Sequence, residues 1–95
     1  MQSIHGFEIG RFRLKAGATE EALKVASMAM ETRHLYAQAG FVAHYVVRLD
    51  DGLYLDLVFA NSRADAERIC NSWRGQVDCE AFLALIEPES MSSAR

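Results

Sequence analysis

Residues 40–62, GFVAHYVVRLDDGLYLDLVFANS, hold two alternating apolar runs on either side of Asp50-Asp51-Gly52, with one carboxylate, Asp56, inside the second run. The alternation has the period of a half-buried strand, and the polar break between the runs predicts a hairpin. A loop over residues 50 to 52 fits best, a type I turn closed by Gly52 in the left-handed conformation that glycine adopts without a Cβ penalty. Leu49 then pairs with Leu53, Val47 with Leu55, Tyr45 with Leu57 and Ala43 with Phe59, while Arg48 pairs with Tyr54, Val46 with Asp56 and His44 with Val58. The first set makes an apolar face and the second a mixed one. A shorter loop would set Val47 opposite Asp56 and Arg48 opposite Leu55, scrambling both faces. The apolar face needs a cover, which the flanking segments are expected to supply.

Upstream, residues 7 to 14 alternate as a strand, with Glu8, Gly10, Phe12 and Leu14 on one side and Phe7, Ile9, Arg11 and Arg13 on the other. Neither side is purely polar, so both are expected to be covered. Lys15-Ala16-Gly17-Ala18 is a turn, and Thr19 is the N-cap of a helix whose first turn carries Glu20 and Glu21, where the helix dipole favours negative charge. That helix is expected to run to about Ala39 and stop at Gly40. Downstream, Ser62 with Asp65 three residues on resembles a capping box, and Ala66, Ile69, Cys70 and Trp73 follow the spacing of a buried helical stripe ending near Gly75. Asp78 is the expected cap of a short helical segment containing Phe82, Leu85 and Ile86, closed by Pro88, and residues 89 to 95 are read as an edge strand or a frayed tail.

Strand, helix, strand, strand, helix, strand is the ferredoxin-like order. It predicts one α+β domain over residues 1–95, with both helices on one face of a four-stranded antiparallel sheet. The other face would then carry Phe7, Ile9, Val42, Val46 and Val58, too much apolar surface to stay wet. At 95 residues the core is small, so oligomerisation would add useful burial. A net charge of -3 and a pI near 5.5 leave no electrostatic footprint for nucleic acid or an anionic membrane. The start has neither a basic nor an apolar leader pattern and no apolar run approaches spanning length, so a cytoplasmic protein is expected. Cys70 and Cys79 stand outside any CxxC pattern, which argues for reduced thiols and no zinc site.

Gly40-Phe41-Val42, the turn ending in Gly52, Tyr54-Leu55-Asp56-Leu57-Val58 and the helix start at residues 62 to 66 together resemble the antibiotic biosynthesis monooxygenase group of dimeric α+β barrel proteins. Tyr54 and Asp56 match the group's aromatic-x-Asp pattern on its third strand, and Ile86-Glu87-Pro88-Glu89-Ser90-Met91 looks like the approach to its last one. The resemblance implies two sheets joined into one barrel as a homodimer, and for some members oxidation of phenols or quinols by dioxygen with no cofactor. The haem-degrading branch is not implied: its first-strand Asn is Gly10 here, no His stands in residues 62 to 86, and the histidine some relatives carry near the end is replaced by Ser92-Ser93.

Two side chains on the first helix are the candidate catalytic residues. Arg33 falls in the centre of the arc of Ala22, Ala26, Ala29, Met30 and Ala37, where its guanidinium would hold an oxyanion, or its head would pair with Glu8. His34, beside Ser27 and Glu31, is either a general base for a phenol or a solvated histidine near a helix end. Glu8, Tyr45 and Trp73 point into the layer between sheet and helices and are the candidate substrate-binding residues, with core packing as the alternative for the aromatics. Cys70 lacks a neighbouring His and is read as structural. Asp56, His44, Arg48, Arg11 and Arg13 are assigned to the dimer-facing side, Asp56 as the carboxylate of a buried ion cluster. The leading reading is a homodimeric monooxygenase-like protein without metal or cofactor acting on a small aromatic ligand, and the alternative is a noncatalytic ligand-binding or structural dimer of the same fold.

Overall fold

Gly6 starts the first strand because nothing larger fits: a Cβ there would overlap the backbone carbonyl of Ser62, so the strand and the cap of a helix touch backbone to backbone. In the computed structural model, which describes residues 4–87 and 92–94, β1 runs over Gly6–Arg13, α1 over Glu20–Arg33, β2 over Phe41–Arg48, β3 over Leu53–Ala60, α2 over Arg63–Asn71, α3 over Val77–Leu83 and β4 over Ser92–Ala94. The expected stop at Pro88 and the approach through Met91 lie outside the described residues. β1, β2 and β3 form the body of the sheet, and short β4 lies antiparallel along the outer edge of β1 in the order β2-β3-β1-β4. No helix among the described residues is long and apolar enough to cross a membrane.

Every hairpin pair read from the alternation is present, from Arg48 with Tyr54 to Ala43 with Phe59, and Leu49 donates its N–H to the Leu53 carbonyl at 2.7 Å. Gly52 has a φ of 73°, as a left-handed closing residue should, but Asp51 is left-handed too, at 66°, so the turn is not the simple type I form. A bulge separates Phe41 from Ala43 and ends the regular pairing. Thr19 caps α1 and Ser62 caps α2 through their side-chain oxygens, both as expected. α3 differs: its cap is Gln76, which accepts from the Cys79 N–H at 2.8 Å, while Asp78 lies inside the helix.

α1 departs from the expected length and rotation. It ends at Arg33, and a 3-10 turn over Leu35–Ala37 follows, which places Leu35 fully in the core. Its buried side chains are Leu23, Ser27 and Met30. The alanines of the predicted arc bury too little area each to steer a helix, whereas Leu23, Met30 and Leu35 bury several times more. Arg33 is thereby rotated into solvent.

The largest correction concerns which hairpin face meets the helices. Cross-strand partners share a face, and β1 pairs Glu8 with Val58, Gly10 with Asp56 and Phe12 with Tyr54. Glu8 and Phe12 are buried under the helices as expected, so Tyr54, Asp56 and Val58 lie there with them, and so does His44. The apolar set, Ala43, Tyr45, Val47, Leu55, Leu57 and Phe59, faces away together with Phe7 and Ile9. Apolarity decides that a face is covered, not what covers it, so the mixed face won the helices because its polar groups satisfy one another there. The core under the helices is built from Phe12, Leu23, Met30, Val58, Ile69 and Phe82. Adding one methyl at the backbone contact, Gly6→Ala, is expected to cost about 2 kcal/mol or more, read as a lower urea midpoint at unchanged slope.

Candidate functional site

His44 is the polar centre of the helix-side layer. Its side chain is fully buried, with Nδ1 2.7 Å from Glu31 Oε2 of α1 and Nε2 in a short hydrogen bond to Asp56 Oδ1 of β3. Asp56 stands opposite Val46, one step along β3 from the partner of His44, so the strand pairing itself places that carboxylate beside the ring. Glu31 arrives one helical turn beyond Ser27, whose hydroxyl donates to it at 3.2 Å. The edges of Trp73 and Phe82 pack against the imidazole at centroid distances of 6.1 and 6.3 Å. Burial drives the His44 pKa down, but the hydrogen bonds and charges of Asp56 and Glu31 outweigh it and leave the pKa above the ordinary value.

Two clefts flank this cluster. The first, about 580 Å³, opens between β1 and the α2–α3 segment and is walled by Glu8, Phe12, Asp56, Trp73, Phe82 and Ile86, with Arg11 and Arg74 exposed on its lining. Trp73 is buried, and its Nε1–H has no acceptor among the described residues. The second, about 450 Å³, lies between α1 and β2 and includes Glu31, His44 and Ser27. At its mouth Tyr54 donates to Glu20 at 3.0 Å, and Arg48 pairs with the same carboxylate. Burial and the neighbouring Glu20 push the Tyr54 hydroxyl up, so it stays a donor. Asp56 thus reaches the first cleft, and His44 and Glu31 the second.

Of the residues singled out from sequence, Glu8 and Trp73 share the first cleft, and Asp56 joins them there rather than on a dimer-facing surface. Tyr45 is on the open face of the sheet, edge to face with Phe59 at 6.1 Å. Arg33 is mostly exposed and pairs with Asp78 at 3.2 Å, not with Glu8. His34 ties the ends of two helices: Ser72 Oγ donates to the Ile69 carbonyl and accepts from His34 Nε2 at 2.9 Å, leaving Nδ1 toward Gln38. Neither Arg33 nor His34 lines either cleft. Arg13 donates to the Asp51 carbonyl and Arg11 is exposed beside it on the open face, so neither arginine is the partner of Asp56.

The Cys79 thiol is pushed up to about 11 by burial and by the charges of Asp78, Glu80 and Asp56, so it stays protonated. Glu31 was the residue missed. Its place follows only once β1 is paired with β3, which brings Asp56 and His44 to the face of Glu8, Gly10 and Phe12, where Glu31 of α1 meets the ring.

No known family profile matches the chain, and no curated protein matches it either. Solved structures do. The cofactor-independent oxygenase SnoaB from Streptomyces nogalater is 17% identical, with a TM-score of 0.68 over 93% of this chain and 86% of that one. Rv0793 from Mycobacterium tuberculosis is 19% identical, with a TM-score of 0.66 over 93% and 88%. A dimeric ferredoxin-like protein from an uncultured marine organism is 13% identical, with a TM-score of 0.56 over 99% and 86%. These likenesses establish an α+β ferredoxin-like fold of the kind found in SnoaB and its structural neighbours, in keeping with the resemblance of residues 40 to 66 to the antibiotic biosynthesis monooxygenase group.

Proposed function

We propose that this protein is a cofactor-independent monooxygenase for a small phenol or hydroquinone, bound in the first cleft of each subunit of a homodimer. The observation that carries this reading is the buried His44–Asp56 pair opening into a cleft walled by Phe12, Trp73 and Phe82. Flat aromatic walls suit a flat ring, the Trp73 Nε1–H, which has no acceptor among the described residues, suits a ligand oxygen, and a carboxylate at the ring's edge suits a phenolic hydroxyl. In the reaction the phenol gives its proton to Asp56, and the electron-rich phenolate reduces dioxygen. One oxygen atom stays on the ring as a new quinone carbonyl and the other leaves as water, so phenol and dioxygen give quinone and water with nothing left over. The fold shared with SnoaB supports the class of chemistry.

The dimer is supported by the open sheet face, where Phe7, Tyr45 and Val47 are 45%, 56% and 39% exposed beside Leu55, Leu57 and Phe59. A patch of that kind is far from what a monomer leaves wet. A dimeric protein also stands among the structural neighbours.

The test is oxygen uptake by the purified protein across a panel of phenols and hydroquinones. Wild type is expected to consume oxygen with at least one of them. Asp56→Asn, which keeps shape but not basicity, is expected to lower kcat by about 10²–10⁴-fold. No uptake with any member would remove the enzyme and leave a ligand-binding or structural dimer.

A further inference from the structure

The oxygenation proposed above borrows a proton when the phenol ionises and must return one when water leaves. The first cleft offers an aromatic lining to keep that proton, with Glu8 the other carboxylate on its wall. We propose that Asp56, His44 and Glu31 form a proton wire through the wall between the two clefts, with Glu31 in the second cleft as the reversible store; this rests on the reading of the first cleft as the phenol site.

Three facts carry the wire. The imidazole presents one nitrogen to each carboxylate, Nε2 to Asp56 and Nδ1 to Glu31 at 2.7 Å, so a proton gained by Asp56 on one side of the ring can be answered by one leaving Nδ1 on the other. The ring is fully buried, with Trp73 and Phe82 packed against it. Each carboxylate lines a different cleft.

The step balances. At rest the ring is charged, with Nε2–H toward Asp56 and Nδ1–H toward Glu31; when the phenol proton bonds to the free oxygen of Asp56, the negative charge that held the ring protonated is cancelled and the Nδ1 proton moves to Glu31, so the ring ends neutral with its proton on Nε2. The reverse hops return the proton when the departing oxygen is released as water. Asp56 alone touches the ligand; His44 and Glu31 act through it. The surrounding charged and titratable groups are Glu8, Arg11 and Arg74 in the first cleft, the Cys79 thiol from α3, and Glu20, Lys24, Arg48, Tyr45 and Tyr54 in the second. Ser27, which donates to Glu31, sets how readily the store holds its proton.

The test uses 4-nitrophenol as the probe, because its phenolate absorbs where the phenol does not. Binding is followed by absorbance, and proton release is counted by calorimetry in two buffers of different ionisation enthalpy. Wild type should form bound phenolate at a pH where the free probe is mostly protonated, with less than one proton released per phenolate formed. Glu31→Gln should lower the phenolate fraction at least tenfold, Glu31→Asp should restore part of it, and Ser27→Ala should raise it. An unchanged phenolate fraction in both Glu31→Gln and Ser27→Ala overturns the wire, as does release of one full proton per phenolate, or failure of the probe to bind. If phenolate forms and responds to Glu31 but no phenol supports oxygen uptake, the oxygenase reading fails and the wire stands. If oxygen is consumed and its pH profile is indifferent to Glu31→Gln, the wire fails and the oxygenase reading stands.

Discussion

Leu57→Asp is expected to convert the proposed dimer into a folded monomer. Leu57 sits at the middle of the open face, on the central strand, paired with Tyr45 on one side and Ile9 on the other. A two-fold interface repeats any substitution, so one change buries two like charges near each other. Each would lose several kcal/mol of hydration on association, and even a combined penalty of roughly 4 kcal/mol weakens binding about a thousandfold. Within the subunit the same side chain points away from the helices, so the far-ultraviolet spectrum should be unchanged. Light scattering after size exclusion reads the outcome. A Leu57→Asp protein that keeps the wild-type mass would place the interface elsewhere, and a wild-type monomer would remove it.

His44→Leu is the second large effect, and its direction separates two accounts of the helix-side layer. If the layer were ordinary core, leucine against the edges of Trp73 and Phe82 would be neutral or stabilising. In the arrangement described above, the substitution strands Glu31 and Asp56, whose side chains are only 21% and 13% exposed. A loss of about 3 kcal/mol is expected at pH 7, the low end of what a broken buried pair costs, because each carboxylate keeps a path to a cleft. Urea unfolding at pH 7 and pH 4.5 measures the loss. A variant as stable as wild type at both values would make the cluster incidental.

The same cluster governs how wild-type stability depends on pH. A His44 pKa raised in the folded state contributes stability that is fully present below the ordinary histidine value of about 6.5 and is lost as pH rises through the folded value. Stability from this group therefore declines on the alkaline side, opposite to the usual carboxylate pattern.

Much of this architecture is legible in the residues themselves. The three residues of the Asp50-Asp51-Gly52 loop set the hairpin register, Thr19 and Ser62 mark helix starts by their hydroxyls, and Gly40 and Gly75 mark left-handed stops. What alternation could not settle was the direction of each face. A period of two says that Tyr45 and Leu57 lie on one side and His44 and Asp56 on the other, but both sides of this sheet are apolar enough to be covered. The answer needed the pairing of β1 with β3, a long-range contact that no local pattern encodes. The site followed the face: with the hairpin inverted, Asp56 and His44 moved from the expected dimer side into the helix layer. Arg33 moved to the surface for a separate reason: Leu23, Met30 and Leu35, not the alanines, orient that helix.

The account stands on a charged imidazole held between two carboxylates. Its most direct test is the ¹⁵N shift of the two His44 ring nitrogens by NMR across a pH titration. Both nitrogens are expected to remain protonated above pH 6.5, where an ordinary histidine is losing its proton, and Asp56→Asn should bring the titration down. A His44 ring that is neutral at pH 6.5, or that titrates identically in wild type and Asp56→Asn, would contradict it.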